Sequence, residues 1–323
     1  MHAIRRRHLL AVAVIAACVA GPVQAQGFPD RPVRVIVPFG PGGGTDNLVR
    51  LIEPHVRAAL GQPLVIENRA GASQIIASEA VARSPADGYT LFLAASTHAS
   101  NAAVYARLPY DTLADFTPIV NLYASPTVLF VGRGSPIRTA QELVAAAKRD
   151  PGMSFATSGN GSSGHFATEM FRRKVGIEPT IVAFRGAAPA LQEVVAGRVA
   201  ATFSTLSGAI GLARDGQLRP LAIGGPNRAE VLPGVPTLDE LGMGIPDTSP
   251  WYGFIGPKGL PRPIVDRVAR DVIGLLRDPA ISRRIVDSGG VILAEGPEAF
   301  DARIRRELAE NAVVAREAGI RVE

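Results

Sequence analysis

Residues 33–46 read VRVIVPFGPGGGTD, and this stretch decides the fold class. Residues 33–39 form a β-branched, apolar run that predicts a buried strand. Residues 40–45 predict a loop of glycine and proline, and Asp46–Leu60 has apolar side chains at helical spacing. Because a strand, a glycine-rich loop and a helix follow one another directly, the stretch is typical of an α/β unit.

The glycine-rich loop is a candidate anion site. Gly42, Gly43 and Gly44 carry no side chains, so backbone N–H groups can approach a ligand closely. The following helix N-terminus adds free amides and positive potential. No Gly-Lys-Ser/Thr follows, which excludes a nucleotide-binding P-loop. Simple capping of the helix by Thr45 or Asp46 is the alternative interpretation.

The same alternation of strands and helices continues along the chain. Further strands are predicted at 64–68, 90–95, 127–131, 154–157, 180–184, 200–204, 220–223 and 251–255. Further helices are predicted at 73–82, 101–108, 139–148, 165–175, 188–196 and 207–215. A turn is expected at 115–116, and residues from 263 onward predict two or three arginine-rich amphipathic helices.

This pattern predicts two similar, Rossmann-like α/β domains. Residues 26–125 plus 249–323 are assigned to domain 1 and residues 126–248 to domain 2. Two crossing segments, near 121–128 and 246–252, would join them. Paired connections allow hinge motion and leave a cleft between the domains. Trp251, the only tryptophan, is expected at the junction.

A second glycine-rich loop, SGNGSSGH at 158–165, lies between a predicted strand and helix. Gly159, Gly161 and Gly164 match the dinucleotide pattern G-x-G-x-x-G. However, Glu178 precedes the next predicted strand, whereas a ribose-binding acid would end it. No cofactor is therefore expected, and the hydroxyls and amides of Ser158 and Ser162 are offered to a carboxylate instead.

Polar pairs also follow two other strands. Ser96-Thr97 follow 90–95, and Ser204-Thr205 follow residues 200–203. Ligands of open α/β sheets bind beyond the carboxyl ends of the strands. Together with the two glycine-rich loops, these pairs make four polar clusters drawn from both domains, and they predict a cleft lined with hydrogen-bond donors. A helix cap explains each pair equally well.

Several charged or aromatic side chains near these loops have open roles. Arg185 is able to clamp a carboxylate with two hydrogen bonds, or to form a surface ion pair. Asp46 is able to act as a base, hold a ligand ammonium or cap its helix. His98 and His165 are candidate ligand or wall contacts at helix starts, and Phe39 is a candidate wall of the ligand or of the core.

Catalytic patterns are poor. The chain has no G-x-S-x-G elbow and no H-E-x-x-H zinc motif, and its one cysteine excludes a disulfide framework within the chain. Two alternatives to ligand binding stay open. One is an exported hydrolase that pairs Ser162 with His165, although no third orienting group is apparent; the other is an interaction module whose cleft is empty.

Residues 1–25 predict an export signal. Arg5, Arg6 and Arg7 precede a twelve-residue apolar run, 9–20, which is too short to span a bilayer. Cleavage is predicted after Ala25, which places the mature protein in the periplasm. Twin-arginine export and lipidation at Cys18 are alternatives.

The charge balance argues against a nucleic-acid partner. The net charge of the 323-residue chain is +5. Without residues 1–25, which hold three arginines and no acid, 31 basic and 29 acidic residues remain. No basic stripe with interleaved aromatic residues is present. A composition of 47% hydrophobic and 20% charged residues fits a packed globular protein.

Motifs along almost the whole mature chain resemble those of one family. Besides VRVIVPFGPGGGTD, they include VIENRAGA, ADGYTLFL, LPYDTLADFTPI, TSGNGSSGHFATEMF, FRGAAPAL, VPTLDELG and PWYGF. In this order they resemble the Bug-type extracytoplasmic solute receptors of tripartite tricarboxylate transporters. The combination is highly specific, although each motif alone is modest.

The resemblance implies a periplasmic-binding-protein fold in which a Venus-flytrap cleft holds a small carboxylate, a dicarboxylate or an aromatic or amino acid. It implies no chemistry, a monomer, and delivery to membrane permease subunits or to a sensor. Carried over to this sequence, the two loops give the following binding residues: Phe39, Gly42, Gly43, Thr45, Asp46, Ser158, Gly159, Gly161, Ser162 and His165. Ser96, Thr97, Arg185 and Ser204 complete the predicted site.

The sequence departs from the family pattern at two positions. Many members have an acidic residue where this chain has Ser204, and members often have lysine in the segment 184–186, which here contains Arg185. A missing acid weakens the case for an amino-acid ligand, because an ammonium group favours a negative partner. The sequence therefore favours a carboxylate without an amino group.

Overall fold

The computed structural model describes residues 27–41 and 44–321. The predicted signal peptide, Cys18 and the loop residues Gly42 and Gly43 lie outside the described residues. None of the helices within the described ranges combines the length and apolar character that crossing a membrane requires.

The described part of the chain alternates strands with helices. The strands are β1 Val33–Val37, β2 Leu64–Asn68, β3 Thr90–Ala95, β4 Phe116–Ala124, β5 Thr127–Gly132, β6 Ser154–Thr157, β7 Thr180–Ala183, β8 Ala201–Thr205, β9 Leu218–Ile223, β10 Trp251–Pro257 and β11 Val291–Glu295. The helices are α1 Gly44–Leu60, α2 Ile75–Ala82, α3 Thr97–Val104, α4 Ala140–Arg149, α5 Ser163–Val175, α6 Ala187–Val195, α7 Leu206–Arg214, α8 Arg262–Leu276, α9 Pro279–Asp287 and α10 Pro297–Ala318, and a 3-10 turn covers Ala72–Gln74.

These elements form two sheets, which define two lobes. Lobe 1 has a six-stranded sheet in the order β11-β4-β10-β3-β1-β2, and lobe 2 a five-stranded sheet in the order β7-β6-β8-β5-β9. In each sheet, parallel pairs (β1 with β2 and β3, β6 with β7 and β8) adjoin antiparallel ones. Strands β1 and β3 are almost fully buried because helices cover both faces of the sheet.

The chain crosses between the lobes twice, as predicted. It passes from lobe 1 to lobe 2 between Ala124 and Thr127, and it returns between Ile223 and Trp251. Each lobe has its own apolar core, with Leu93 in lobe 1 and Phe155 in lobe 2 among its fully buried side chains.

Most elements lie where the sequence predicts them, but β4 does not. A turn was expected at 115–116, whereas Phe116–Ala124 is a nine-residue strand inside the sheet. Pro118 and Asn121 interrupt its apolar pattern. Pro118 is tolerated because it lies beside a register shift against β10, where the regular hydrogen-bond ladder is broken.

Two further predictions were wrong in part. The helix predicted at 101–108 lies at Thr97–Val104, because buried contacts of His98, Ser100 and Asn101 stabilise a segment with weak helix propensity. The tail has the three predicted helices, but it also contains the edge strand β11. That strand is short, half-exposed and irregular in its pairing with β4, so its pattern carries little signal.

Candidate functional site

The first predicted loop is tied to the end of β2 by Asn68. The Asn68 amide Nδ2 donates to the Phe39 carbonyl at 2.9 Å and to Asp46 Oδ1 at 2.8 Å. Asp46 is 1% exposed, and its Oδ2 accepts from Arg50 Nε at 2.8 Å. These contacts give Asp46 a structural role in anchoring the loop to α1 and β2.

Thr45 and Phe39 lie against the core of lobe 1. Thr45 is buried, and its hydroxyl interacts with the phenols of Tyr123 and Tyr252. These two rings stack with their centroids 4.7 Å apart, on β4 and β10 next to the crossing segments. Phe39 packs against the same apolar cluster. The first turn of α1 is thereby fixed to the strands that lead into the hinge.

Ser96 and Thr97 lie at the junction of β3 and α3, at the same sheet edge as the first loop. The parallel pair Ile36–Phe92 aligns β1 with β3, so the residues that follow both strands emerge side by side. The Ser96 N–H donates to the Trp251 carbonyl at 3.0 Å, which joins this edge to the start of β10.

The segment 72–74 holds this edge in place. The helix predicted at 73–82 was wrong at its start, because Ser73 and Gln74 belong to this turn and the helix begins at Ile75. Ala72, Ser73 and Gln74 all have positive φ, although none is glycine. The buried Gln74 amide exchanges two hydrogen bonds with the backbone of Ala95, at 3.2 and 3.3 Å. Such strain persists where surrounding contacts fix it, and it often marks binding sites. Ala72 is the last residue of the motif VIENRAGA, and the family resemblance of that motif was the available signal for this segment.

The second loop ends in a capped helix. The Ser162 hydroxyl accepts from the His165 N–H at 3.2 Å, which makes Ser162 the N-cap of α5. The Ser162 N–H in turn donates to the Gly159 carbonyl. Ser163 and Gly164 are the first residues of α5, so their amides have no acceptor inside the helix. The loop thus presents the backbone amides that an anion requires.

His165 uses its ring to hold the loop. The Gly161 N–H donates to His165 Nδ1 at 3.0 Å, and Nε2 lies 4.0 Å from Glu169 Oε1. Burial lowers the pKa of His165 from its ordinary value of 6.5, and the nearby Arg172 acts in the same direction, while Glu169 opposes them. The imidazole is therefore neutral near pH 7.

Ser204 and Arg185 lie next to this loop in lobe 2. The pair Ala156–Thr202 aligns β6 with β8, so Ser158 and Ser204 are each two residues further on at one edge. Ser204 is buried, whereas Arg185 is exposed and forms no ion pair with any residue in the described ranges. The Ser158 carbonyl accepts from the N–H of Gly186, which places Arg185 at the rim of the same cluster.

The two lobes meet at the second loop. The Ser100 hydroxyl of α3 lies 3.3 Å from the Gly161 carbonyl, and a Cβ on Gly161 would lie 3.2 Å from Val104 Cγ2. Next to this contact an interlobe cluster joins α3, α5 and the end of α10. Its buried members are Val104, Phe166, Ala315 and Ile320. Ser100 was missed because the predicted helix began at Asn101, and Val104 because its contact with the other lobe leaves no mark in the local sequence.

A cavity of about 570 Å³ adjoins this cluster, with Ser96, Ser163 and Ser249 in its wall. Glu307 of α10 also lines it and accepts a hydrogen bond from the Trp251 indole at 2.5 Å. Burial raises the pKa of Glu307 to about 7. A larger hollow, of about 850 Å³, lies in lobe 2 near 132–137 and 194–200, and no predicted site residue lines it.

Ser162 and His165 are not arranged as the catalytic pair of a hydrolase. His165 Nδ1 accepts from a backbone amide, and the Ser162 hydroxyl caps the backbone of the same histidine, so no nucleophile–base pair forms. The suggestion that His98 walls the ligand was wrong: it is fully buried, and its ring lies 4.6 Å from that of Phe116. Within the described residues, no group of His, Cys, Asp and Glu side chains is arranged to hold a metal.

Comparison with known proteins identifies the family. Residues 48–312 match the model of the tripartite tricarboxylate transporter family receptor. The chain belongs to this receptor family. Protein BugT of Bordetella pertussis is 33% identical to the receptor over 325 residues, which cover 100% of both chains.

Two solved structures extend the likeness to the fold. Rpa4515 of R. palustris, solved with adipate, is 34% identical and has a TM-score of 0.86 over 91% of the receptor and 99% of that chain. MatC of Rhodopseudomonas palustris, solved with bound malate, is 30% identical, with a TM-score of 0.79 over 89% of the receptor and 99% of that chain. The receptor thus has the two-domain α/β fold of periplasmic binding proteins, and the family consists of solute-binding receptors rather than enzymes.

Proposed function

We propose that the receptor captures a small organic carboxylate between its lobes in the periplasm and delivers it to a tripartite tricarboxylate-type permease or a sensor. The observation that carries the proposal is the capped N-terminus of α5, whose free amides lie beside the contact with lobe 1. A ligand that contacts both lobes would favour the closed state.

The chemistry of the cluster favours a dicarboxylate without an amino group. The ammonium group of an amino-acid ligand favours an acidic side chain as its partner, but Ser204 offers only a hydroxyl. The carboxylate of Asp46 is already bound by Arg50 and Asn68. Adipate and malate, found with Rpa4515 and MatC, are such molecules. One carboxylate would bind the loop amides, and Arg185 at the rim would bind the other.

The proposed site keeps the residues that the sequence predicts. They are Phe39, Gly42, Gly43, Thr45, Asp46, Ser96, Thr97, Ser158, Gly159, Gly161, Ser162, His165, Arg185 and Ser204. The structure suggests that Asp46 and His165 act by holding the loops. We also propose domain 1 as residues 26–125 plus 249–323 and domain 2 as residues 126–248, since the two sheets divide along these lines.

We also propose how the receptor is exported and which partners it has. Export would end with cleavage after Ala25, with lipidation at Cys18 and twin-arginine export as the alternatives. The mature receptor would act as a monomer, with permease subunits as its protein partners and no nucleic acid. Mass spectrometry of the mature protein isolated from the cell envelope of its own host would give the first residue and any attached lipid.

A thermal-shift screen of mono- and dicarboxylates tests the function. A ligand at a hundredfold excess over its Kd should stabilise the mature protein by about 2.7 kcal/mol. The diamide and diester analogues of each hit are the controls, since they keep the shape but lose the charge. Native mass spectrometry would detect a ligand carried through purification. If no carboxylate stabilises the protein beyond its neutral analogue, the proposal fails.

Arg185 supplies a sharper version of the test. Replacing it in Arg185→Met should weaken binding of a dicarboxylate such as adipate by about tenfold or more, because a hydrogen-bonded charge pair is lost. Hexanoate, which has one carboxylate, should be much less affected. Arg149→Met, at another exposed arginine of lobe 2, is the matched control. Equal losses for adipate and hexanoate would remove Arg185 from the proposed role.

A further inference from the structure

We infer that His165 is a positioning residue, which holds Gly161 in the conformation that joins the binding loop of lobe 2 to α3 of lobe 1. This inference rests on the proposed function for its effect on ligand affinity. Its structural part, the role of the ring in the interlobe contact, is independent of any ligand.

The tautomer of His165 follows from its hydrogen bond. A backbone N–H can only donate, so Nδ1, at 3.0 Å from the Gly161 nitrogen, must be the unprotonated ring atom. The ring proton is then on Nε2, which faces Glu169 Oε1 at 4.0 Å. Both the Gly161 backbone and His165 are buried, so removing the acceptor would leave a buried donor unsatisfied.

Charged groups on α5 orient the ring. Glu169 lies one turn after His165, and its Oε2 accepts from Arg172 Nε at 2.9 Å. Arg173 Nε lies 3.9 Å from the same oxygen, and Arg172 also contacts Glu178. Glu169 is thus fixed opposite Nε2, which selects the tautomer that leaves Nδ1 free to accept.

Other elements packed against α5 add few charges. Strand β8 offers only the uncharged residues Ala201–Thr205. On the side of α10, Glu317 lines a hollow together with Glu169, Arg173 and Lys174 of α5. The Arg173 guanidinium donates to the Glu317 carbonyl, which ties the end of α10 to α5.

Gly161 is held from both sides. Its N–H is bound by His165, and its carbonyl lies within hydrogen-bond distance of the Ser100 hydroxyl on the other lobe. Its φ of 73° lies in the left-handed region that favours glycine. Rotation at Gly161 would move the carbonyl away from Ser100, so losing the His165 acceptor should loosen the contact between the lobes.

Protonation of His165 should have the same effect. An imidazolium carries N–H groups at both nitrogens and cannot accept from Gly161. The lowered pKa keeps the ring neutral at pH 7. Acidification below the ordinary pKa of 6.5 should therefore weaken the interlobe contact, and ligand affinity should fall with it.

Paired variants separate the hydrogen bond from the shape of the ring. Asparagine places Oδ1 close to the position of Nδ1, so His165→Asn should keep affinity for adipate and malate within about threefold. His165→Phe keeps an aromatic ring but no acceptor, and it should lose about tenfold or more, the equivalent of one buried hydrogen bond. Ser100→Ala should resemble His165→Phe, and the pH dependence of affinity should vanish in His165→Asn.

Two measurements on the ligand-free wild type test the structural part directly. The ¹⁵N spectrum of the ring should show Nδ1 unprotonated and Nε2 protonated at pH 7.5, and Gly161 should be protected from hydrogen exchange. Small-angle scattering should show a larger radius of gyration for His165→Phe than for His165→Asn.

The outcomes are distinct. A protonated Nδ1 at pH 7.5, or a folded His165→Phe that matches wild type in Gly161 protection and in radius of gyration, would overturn the inference. If His165→Phe does not fold, Ser100→Ala and the wild-type spectrum decide. If the wild type binds no carboxylate, the proposed function fails, while the spectrum and the scattering still decide the role of His165.

Discussion

Single residues of the second loop explain why a dinucleotide-like pattern occurs in a receptor. Gly161 needs its positive φ, and a Cβ there would press on Val104 of the opposite lobe. Gly164 is required for a different reason, since a Cβ would overlap the carbonyl oxygen of Phe203 on β8. The spacing of these glycines therefore follows from the packing of the loop and helix in this fold.

Gly164→Ala should be destabilising. The added methyl would push α5 away from β8, and such overpacking costs about 1–3 kcal/mol. Urea unfolding would measure the loss. Gly134→Ala is the matched control, because Gly134 lies in a loop of lobe 2 with open space around its Cβ position. Equal stability of the two variants would contradict the close approach of α5 to β8.

His98 should contribute a pH dependence of stability. Burial lowers its pKa from 6.5 to about 4, while its Nε2 donates to the Thr112 carbonyl. The unfolded state therefore binds a proton between pH 6.5 and 4 that the folded state does not. Stability is fully present above pH 6.5 and falls by on the order of 2–3 kcal/mol as the pH drops to 4.

The variant His98→Gln isolates this contribution. Glutamine is able to donate to Thr112 but does not titrate, so the acid limb of the stability curve should flatten. Denaturant unfolding at pH 4, 5, 6 and 7 would compare the two proteins. If they lose stability in parallel between pH 6.5 and 4, other groups cause the acid sensitivity.

At the scale of elements, the N-termini of α4 and α5 have the same type of cap, but only the cap of α5 lies next to the proposed binding site. The Thr139 hydroxyl accepts from the Glu142 N–H at 3.1 Å, and the Ser162 hydroxyl accepts from the His165 N–H at 3.2 Å. Both caps stabilise a helix of lobe 2. The cap of α5 also shapes the proposed binding loop, whereas no predicted site residue lies near the start of α4.

Alanine variants of the two caps should therefore behave differently. Ser162→Ala and Thr139→Ala should each lose about 1 kcal/mol of stability, since each removes one capping hydrogen bond. Ser162→Ala alone should also weaken carboxylate binding in calorimetry at matched temperature. A similar loss of affinity in Thr139→Ala would mean that the effect comes through global stability.

The position of a strand or helix was predictable where neighbouring residues in the sequence mark it. The strands Leu64–Asn68, Thr90–Ala95 and Ser154–Thr157 lie at the predicted residues, because apolar runs bounded by turn residues mark them. Strand β4 was missed because Pro118 lies beside a bulge of β4, and the bulge forms against β10, which lies far away in the sequence. Helix α3 was displaced because its buried polar side chains depend on tertiary partners.

At the scale of the whole molecule, α10 connects the lobes. Its 22 residues span about 33 Å at 1.5 Å per residue. Its first half buries Phe300 against Trp251 of lobe 1, and Ala315 near its end contacts the interlobe cluster of Val104, Phe166, Ala315 and Ile320. The cavity between these two points contains Glu307, next to the returning crossing segment.

Glu307 should make stability depend on pH in the sense opposite to His98. Its folded pKa is raised from 4.5 to about 7, mainly by burial and also by the negative charge of Asp247. The Trp251 hydrogen bond and the positive charges of Arg303 and Arg306 lower this pKa but do not offset the effect of burial. The folded state thus holds a proton that the unfolded state releases. Its contribution is fully present below pH 4.5 and is lost as the pH rises to 7, on the order of 2–3 kcal/mol.

Glu307→Gln should remove this loss, since glutamine keeps an acceptor for the Trp251 indole and carries no charge. The variant should exceed wild type in stability at pH 8 and match it near pH 4.5. Glu310→Gln, at an exposed position of the same helix, should leave the curve unchanged. A constant difference between Glu307→Gln and wild type from pH 4.5 to 8 would contradict the raised pKa.

The sequence by itself determined the two α/β blocks, the two crossings and most element boundaries, because hydrophobic period, glycine and proline act within a few residues of chain. The family followed from the resemblance of its motifs, taken in order along the chain. Only the tertiary structure decided what the polar side chains do. It showed Asp46 anchored by Asn68, His98 buried in the core, and His165 accepting from Gly161. Burial and partners from distant segments set these roles, and hydrogen-bond geometry and desolvation have no signature in local sequence.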